Sequence, residues 1–296
     1  MGAEPALRRR ARPLLGTLVE IEAGGLARTA LDAAIDAAFA VVAEVQRRMS
    51  VHDPGSELSR ANREAARHEV DLSPETAAVT AAALDFAAAS GGAFDPTAGR
   101  HLVRSGLLPR PEKGRRYGRS SYHDVELRRF PDGSARIRFA RPLLLDFGGI
   151  AKGYAVDRAL AVLRAAGAST GLVNAGGDLA CFGEVRTIGI RAPGDPYRIA
   201  ATVELDGAAI ATSSPDFGRR LRRGREVHPL VEPRSGDCFP ERTSISVVAA
   251  SCLVADALTK VALFAPGRFA AIAPRLGAEV IRLEAAAAPR SAGAAS

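Results

Sequence analysis

Leu145-Asp146-Phe147-Gly148-Gly149-Ile150-Ala151-Lys152-Gly153-Tyr154 sets a carboxylate, two glycines and a lysine around the start of a helix. Glycines let backbone approach a ligand closely, and a helix N-terminus offers bare N–H groups and a positive dipole end, so these parts can hold an anionic nucleotide. The same residues also make a tight strand-to-helix turn with Asp146 as its cap. Both readings stand at this point. A second glycine turn, Val173-Asn174-Ala175-Gly176-Gly177-Asp178, follows a strand pattern, and Gly91-Gly92-Ala93-Phe94-Asp95-Pro96-Thr97 joins a helix end to a turn that contains an acid.

Asp256 shares a helix face with Thr259 at i+3 and Lys260 at i+4. An acid and a hydroxyl one turn apart can bind a hard, oxygen-seeking cation such as Mg2+. Asp256 and Lys260 can equally form an ordinary ion pair. His228 precedes Pro229-Leu230-Val231-Glu232-Pro233-Arg234, a turn-rich stretch in which an imidazole could deprotonate a hydroxyl nucleophile. His52, His68, His101 and His123 show no ligand spacing with one another.

These groups need elements to hold them. Thr17 to Glu22 alternates apolar and polar side chains and predicts a strand. From Thr29 to Met49, Leu31, Ile35, Phe39, Val42 and Val45 recur at helical spacing. Ser73, Pro74 and Glu75 resemble a helix start, and the alanine-rich stretch after them runs to Gly91. Tyr122–Leu127 and Ala135–Phe139 read as a hairpin around Pro131-Asp132-Gly133. Leu143–Leu145 reads as a short strand, followed by the glycine turn and a helix over Ala151–Ala166. Further strands are predicted at Gly171–Asn174, Ile188–Ile190, Ala201–Leu205 and Ser244–Ala249, with a helix over Val254–Phe264. Hairpins with segregated helices predict an α+β architecture of mixed or antiparallel sheets with packed helices. Residues 1–284 read as a single domain, with two intimately packed α+β halves as a variant. Residues 285–296 read as a low-complexity Ala/Ser tail, and Pro109 to Arg119 as an exposed loop.

The chain has 296 residues, 47% hydrophobic and 25% charged, which suits a globular protein with a sizeable core. The formal charge of +7 comes largely from two arginine runs, Arg8 to Arg12 and Arg219 to Arg225. They read as solvated surface or as a footprint for small anions; with no Trp and no nucleic-acid-binding motif, nucleic acid is not expected as a partner. Cys181, Cys238 and Cys252 are odd in number and lack C-x-x-C spacing, so a disulfide framework is not indicated and a reducing compartment fits. No secretory signal and no uncharged apolar run of about 18 residues is present, so no membrane span and a cytoplasmic location are expected.

Taken in order, these segments resemble the ApbE family, the FAD:protein FMN transferases. Leu15-Gly16-Thr17 is similar to the family's Met-Gly-Thr start, and Met49 to Ser59 to its Met-Ser…Ser-Glu-Leu segment. Gly91–Thr97, Asp146–Asp157, Val173–Asp178, Ala211-Thr212-Ser213 and Ala255–Leu258 resemble the motifs that follow. The resemblance implies a T-fold-like α+β enzyme that binds FAD with Mg2+ and moves FMN onto a Ser or Thr hydroxyl of an acceptor flavoprotein, releasing AMP. It further implies that Leu15, Ala93, Phe94, Asp95, Asp146, Lys152 and Leu230 contact FAD. The metal would lie between the Gly149 carbonyl, the Asp256 carboxylate and the Thr259 side chain, with His228 as the catalytic base.

The chain departs from the family pattern at three places. Pro229 and Glu232 stand where the family's motif has His and Asp, which leaves His228 one residue early. Lys260 stands where its metal helix ends in Thr, and Thr212-Ser213 is followed by Ser214-Pro215 in place of Gly. Lys260 is expected to turn out to solvent and leave the cation to Asp256, Thr259 and Gly149. A catalytically weakened FAD-binding protein and an FAD pyrophosphatase are the alternative readings.

Overall fold

The first two strands, β1 (Leu7–Leu14) and β2 (Thr17–Gly24), form an antiparallel hairpin in register from Leu7 opposite Gly24 to Leu14 opposite Thr17. Its two turn residues, Leu15 at φ 55° and Gly16 at φ 71°, are both left-handed, the backbone that tight hairpins require. The first arginine run is therefore a strand, not merely solvated surface. Arg8, Arg10 and Arg12 face helix α1 (Arg28–Met49), where they pair with Asp32 and Asp36, and Arg12 also lies over the Phe39 ring; Arg9 points the other way to Glu20. The computed structural model describes residues 7–110, 117–216, 218–222, 224–239 and 242–285.

A seven-stranded, wholly antiparallel sheet is built in the order β1, β2, β6 (Thr170–Ala175), β7 (Asp178–Phe182), β10 (Ala209–Ser213), β13 (Thr243–Ala249) and β14 (Glu279–Glu284). Strand alternation gives it two buried faces. Ala180 and Phe182 of β7 look toward the helices and join the main core, while Leu179 and Cys181 look the other way. The helical face is covered by α1, α5 (Ala151–Ala165) and α6 (Cys252–Phe264). On the opposite face the hairpin of β8 (Arg186–Ala192) and β9 (Asp195–Leu205) packs Ile190 and Leu205 against Leu179, Cys181 and Ile210.

Beyond α1 the chain runs through α2 (Glu57–Glu64), β3 (Val70–Leu72), α3 (Pro74–Ser90) and α4 (Gly99–Arg104) to the hairpin of β4 (Val125–Arg129) and β5 (Ala135–Phe139). β3 completes a small sheet in the order β3, β5, β4. Helix α3 ends at Gly91 with φ 64°, the left-handed cap expected of that glycine. Another small hairpin, β11 (Arg220–Arg222) and β12 (Arg225–Val227), carries the second arginine run, and α7 (Pro266–Ile272) follows α6.

Most predicted elements recur within a residue or two, but β9 starts six residues before the expected Ala201, Tyr122–Asp124 is a 3-10 turn ahead of β4 rather than its first residues, and one predicted strand is absent from the described sheets. Leu143–Leu145 joins no sheet. All three residues are buried, and the backbone of Leu145 is satisfied by a side chain, described below. β1, β3, β7, β10, β11, β12 and β14 were not predicted from the sequence pattern. Within the expected loop, residues 111–116 lie outside the described residues, as do residues 286–296 of the tail. Among the described residues no helix is long and apolar enough to cross a membrane.

Candidate active site

The site begins with Asn62, a residue the sequence reading passed over. From the buried side of α2 its carboxamide donates to Leu145 O at 2.9 Å and accepts from Leu145 N at 2.8 Å, replacing a strand partner. The next amide, Asp146 N, donates to Pro96 O at 2.8 Å, which ties this segment to the turn after α3. The Asp146 side chain accepts from Gly148 N at 3.2 Å, so it closes the glycine turn; the helix cap position itself is Ile150. Burial pushes the Asp146 carboxyl up, against the Gly148 N–H and the charges of His52 and Lys260. Raised carboxyls of this kind cluster at ligand sites.

Across from it, Gly91 and Gly92 both have positive φ and swing the chain so that Phe94 N bonds back to Ser90 Oγ at 3.1 Å. Asp95 caps the following 3-10 turn, accepting from Thr97 N and Thr97 Oγ1 at 2.8 Å and from Tyr122 N at 3.2 Å. A third wall is the loop after β12. Arg234 donates to Gly91 O at 2.9 Å, and Glu232 accepts from the amides of Arg234 and Ser235. Between these walls lies a cleft that opens to solvent.

Ala93, Phe94, Asp95, Asp146, Gly149 and Leu230 all line this cleft, with Gly148, Phe264 and Lys260. Leu15, Lys152, Asp256, Thr259 and His228 do not. Leu15 sits at the turn of the first hairpin, its amide bonded to Gln46 Oε1. Lys152 pairs with Asp178 at the start of β7. Burial pushes the Lys152 ammonium down, but the Asp178 and Asp256 carboxylates together outweigh it and hold its pKa above the ordinary lysine value.

His228 is buried behind the cleft wall. Its Nε2 lies 3.0 Å from Phe239 O, a carbonyl that can only accept, while Nδ1 has no partner among the described residues. It lines a separate small cavity with Arg219, Glu226, Phe239 and Arg242, and its neighbours Pro229 and Leu230 face the cleft.

Beside the cleft floor, Asp256 is fully buried. One carboxylate oxygen accepts from Gly153 N at 3.2 Å and the other from the Lys260 ammonium, which also donates to Asp256 O at 3.0 Å. Lys260 is thus not turned out to solvent as expected: its side chain is 16% exposed. Thr259 Oγ1 donates to Asp256 O at 2.7 Å and meets Ser213 Oγ at 2.8 Å. Mg2+ asks for free oxygen donors and usually keeps several waters. Here both carboxylate oxygens and the hydroxyl are engaged, and two ammoniums already balance two carboxylates, so the donor set does not fit a divalent cation as it stands. Among the described residues no group of three or more His, Cys, Asp or Glu is placed to hold a metal.

A family model described as the ApbE family matches residues 15–281. The chain belongs to the ApbE family. It is similar to the FAD:protein FMN transferase of Treponema pallidum, 27% identical over 277 residues, covering 84% of this chain and 76% of that one. It is also similar to that of Chlamydia trachomatis, 30% identical over 224 residues, with 70% and 67% covered. Among solved structures, the ApbE protein of Thermotoga maritima superposes with a TM-score of 0.81 at 25% identity over 95% of this chain and 97% of that one. The flavinyl transferase ApbE of Pseudomonas stutzeri does so with a TM-score of 0.75 at 25% identity over 95% of each. The α+β architecture is therefore the ApbE fold.

Proposed function

We propose that this ApbE chain transfers the FMN part of FAD to a Ser or Thr hydroxyl of an acceptor flavoprotein and releases AMP. The observation that carries this reading is the cleft itself: in a chain whose relatives are named FAD:protein FMN transferases, it joins an acid-closed glycine turn at the start of α5 to the apolar side chains of Phe94, Leu230 and Phe264. The apolar wall suits a flavin or adenine ring, and the backbone at Gly148 and Gly149 can approach a pyrophosphate.

In the transfer, the acceptor oxygen bonds to the phosphorus on the riboflavin side, and the bond from that phosphorus to the bridging oxygen breaks. AMP leaves with that oxygen, and the hydroxyl proton passes to a base. Such a step asks the protein chiefly for positioning and for positive charge on the phosphoryl oxygens. The three cysteines are free, which supports a reducing, cytoplasmic setting.

Incubation with FAD and a candidate acceptor, followed by intact-mass measurement and an AMP assay, tests the reading. One added FMN per acceptor with one AMP is the expected result. AMP without labelled protein would mean hydrolysis, and bound but intact FAD would mean a binding protein. Asp146→Ala is expected to weaken FAD binding about tenfold, or 1.4 kcal/mol, by removing an acceptor at the cleft and loosening the Gly148 turn. An unchanged FAD titration in the folded variant would remove Asp146 from the site.

His228, which the resemblance implies as base, is buried behind the cleft wall and serves an acceptor hydroxyl only if the Pro229–Leu230 segment moves aside. With Nε2 donating to Phe239 O, the neutral ring carries its lone pair on Nδ1. Burial, aided by the Arg219 charge, pushes its pKa below the ordinary histidine value. The base form therefore persists through neutral pH, and transfer is expected to fall only as pH drops below about 6.5. His228→Gln, which can still donate to Phe239 O, is expected to lower transfer about a hundredfold and to abolish that acid limb. Native rates in this variant would mean that the hydroxyl is activated by other means.

A further inference from the structure

We propose, resting on that flavin reading, that Lys260 stands in for a divalent cation in this chain: its ammonium meets the pyrophosphate of FAD, and the substrate is bound without metal. Three observations carry this. The first is position. The lysine stem passes over the glycine turn, with Cε 3.2 Å from where a Cβ on Gly149 would stand, and its ammonium ends on Asp256. It thus spans the two groups that a bridging cation would link, and it lines the cleft.

The second observation is donor supply. An ammonium has three N–H donors and no lone pair. Two are accounted for by the carbonyl and carboxylate of Asp256, which leaves one for a phosphoryl oxygen in the cleft. Asp256 is itself fixed by Gly153 N and buried, so it acts as the holder of the lysine. A lysine at a phosphate works as a point charge, which suits a pyrophosphate whose negative charge is spread over several oxygens.

The third is charge balance. Lys152 with Asp178 and Lys260 with Asp256 form two neighbouring ion pairs with no excess charge. Adding a divalent ion would set two further positive charges beside both ammoniums, a repulsion that grows where water is excluded. The arriving pyrophosphate instead meets the Lys260 ammonium, which lines the cleft where Lys152 does not. Thr259, the remaining side-chain oxygen on this face of α6, is already committed to Asp256 O and Ser213 Oγ.

The test has two arms. In the first, Mn2+ alone is titrated into the full chain without flavin and free Mn2+ is read by electron paramagnetic resonance. The native protein is expected to bind none tightly, whereas Lys260→Thr, which frees Asp256 and adds a hydroxyl, is expected to gain a site. In the second arm FAD affinity is read by flavin fluorescence in EDTA and in Mg2+. Native affinity is expected to agree within about twofold between the two buffers, Lys260→Met to lose roughly tenfold or more in both, and Lys260→Thr to lose it in EDTA and recover it in Mg2+. Lys260→Arg keeps the charge and is expected to retain binding in EDTA, which guards against misfolding as the cause of the Met result.

Stoichiometric Mn2+ binding by the native chain would overturn the proposal, as would FAD binding that needs Mg2+ while the flavin reading survives. Unchanged FAD affinity in folded Lys260→Met would overturn it too. FAD binding in neither buffer would sink the flavin reading and, with it, the lysine's role toward pyrophosphate; the Mn2+ arm separately decides whether the lysine excludes a cation.

Discussion

Gly153→Ala is expected to destabilise the protein by about 3 kcal/mol, at the upper end of what an overpacked core position costs. Helices α5 and α6 meet at this glycine so closely that a Cβ would lie 2.3 Å from Cys252 O, 2.6 Å from Cys252 C and 2.8 Å from Leu253 Cα. All three are backbone atoms, so no side-chain rotation relieves the clash and the helices must part. Parting them undoes the joint. Asp157 on α5 accepts from Cys252 N at 2.7 Å and Leu253 N at 2.9 Å, satisfying two amides at the start of α6, and Gly153 N is a partner of Asp256. The same displacement would move Lys260, so FAD affinity should fall together with the urea midpoint. Gly267→Ala is the control, because nothing lies within 4 Å of its Cβ position. It is expected to stay within about 1 kcal/mol of native. Equal stability of the two variants would show the α5–α6 joint to be compliant.

What could be read in the sequence depended on whether the deciding partner was near in the chain. Helix α1 was legible because Leu31, Ile35, Phe39, Val42 and Val45 repeat the helical period and all are buried. Gly91 was legible as a stop because a left-handed cap favours glycine. β1 was not, because a run of arginines hides alternation; it pairs along its whole length with β2, and Asp32 and Asp36, one turn apart on α1, face its Arg8, Arg10 and Arg12. An acidic pair at i,i+4 on the helix after a basic run was the available signal. Lys260 misled for a related reason. Its pairing with Asp256 was visible as a spacing, but the complete burial of Asp256, which calls for a counter-charge, was not. The cleft residues Ala93, Phe94, Asp95, Asp146, Gly149 and Leu230 were brought together by long-range bonds such as Asp146 N to Pro96 O and Arg234 to Gly91 O. Spacing alone could not have shown those bonds; the resemblance supplied the grouping.

Asn62→Ala is expected to cost about 3 kcal/mol and to impair FAD binding, although Asn62 does not line the cleft. The carboxamide is buried and makes a two-way bond to Leu145, 83 residues away in the chain. Removing it strands a buried N–H and a buried C=O, each worth about 1–3 kcal/mol when left unmet. Leu143–Leu145 is apolar enough to resemble a strand, but among the described residues no strand pairs with it to take over those groups. The loss passes directly to the site, because Leu145 precedes Asp146, whose own amide holds Pro96 and whose carboxylate closes the Gly148 turn. Asn62→Asp is not a rescue: the oxygen that replaces the amide nitrogen would face the Leu145 carbonyl with no proton to share, and a buried charge would be added. The discriminating measurement is hydrogen exchange at the Leu145 amide, slow in the native protein and fast in Asn62→Ala under conditions where both remain folded. Exchange that stays slow in the variant would mean that another group satisfies this backbone, and neither the stability loss nor the weaker flavin binding should then be seen.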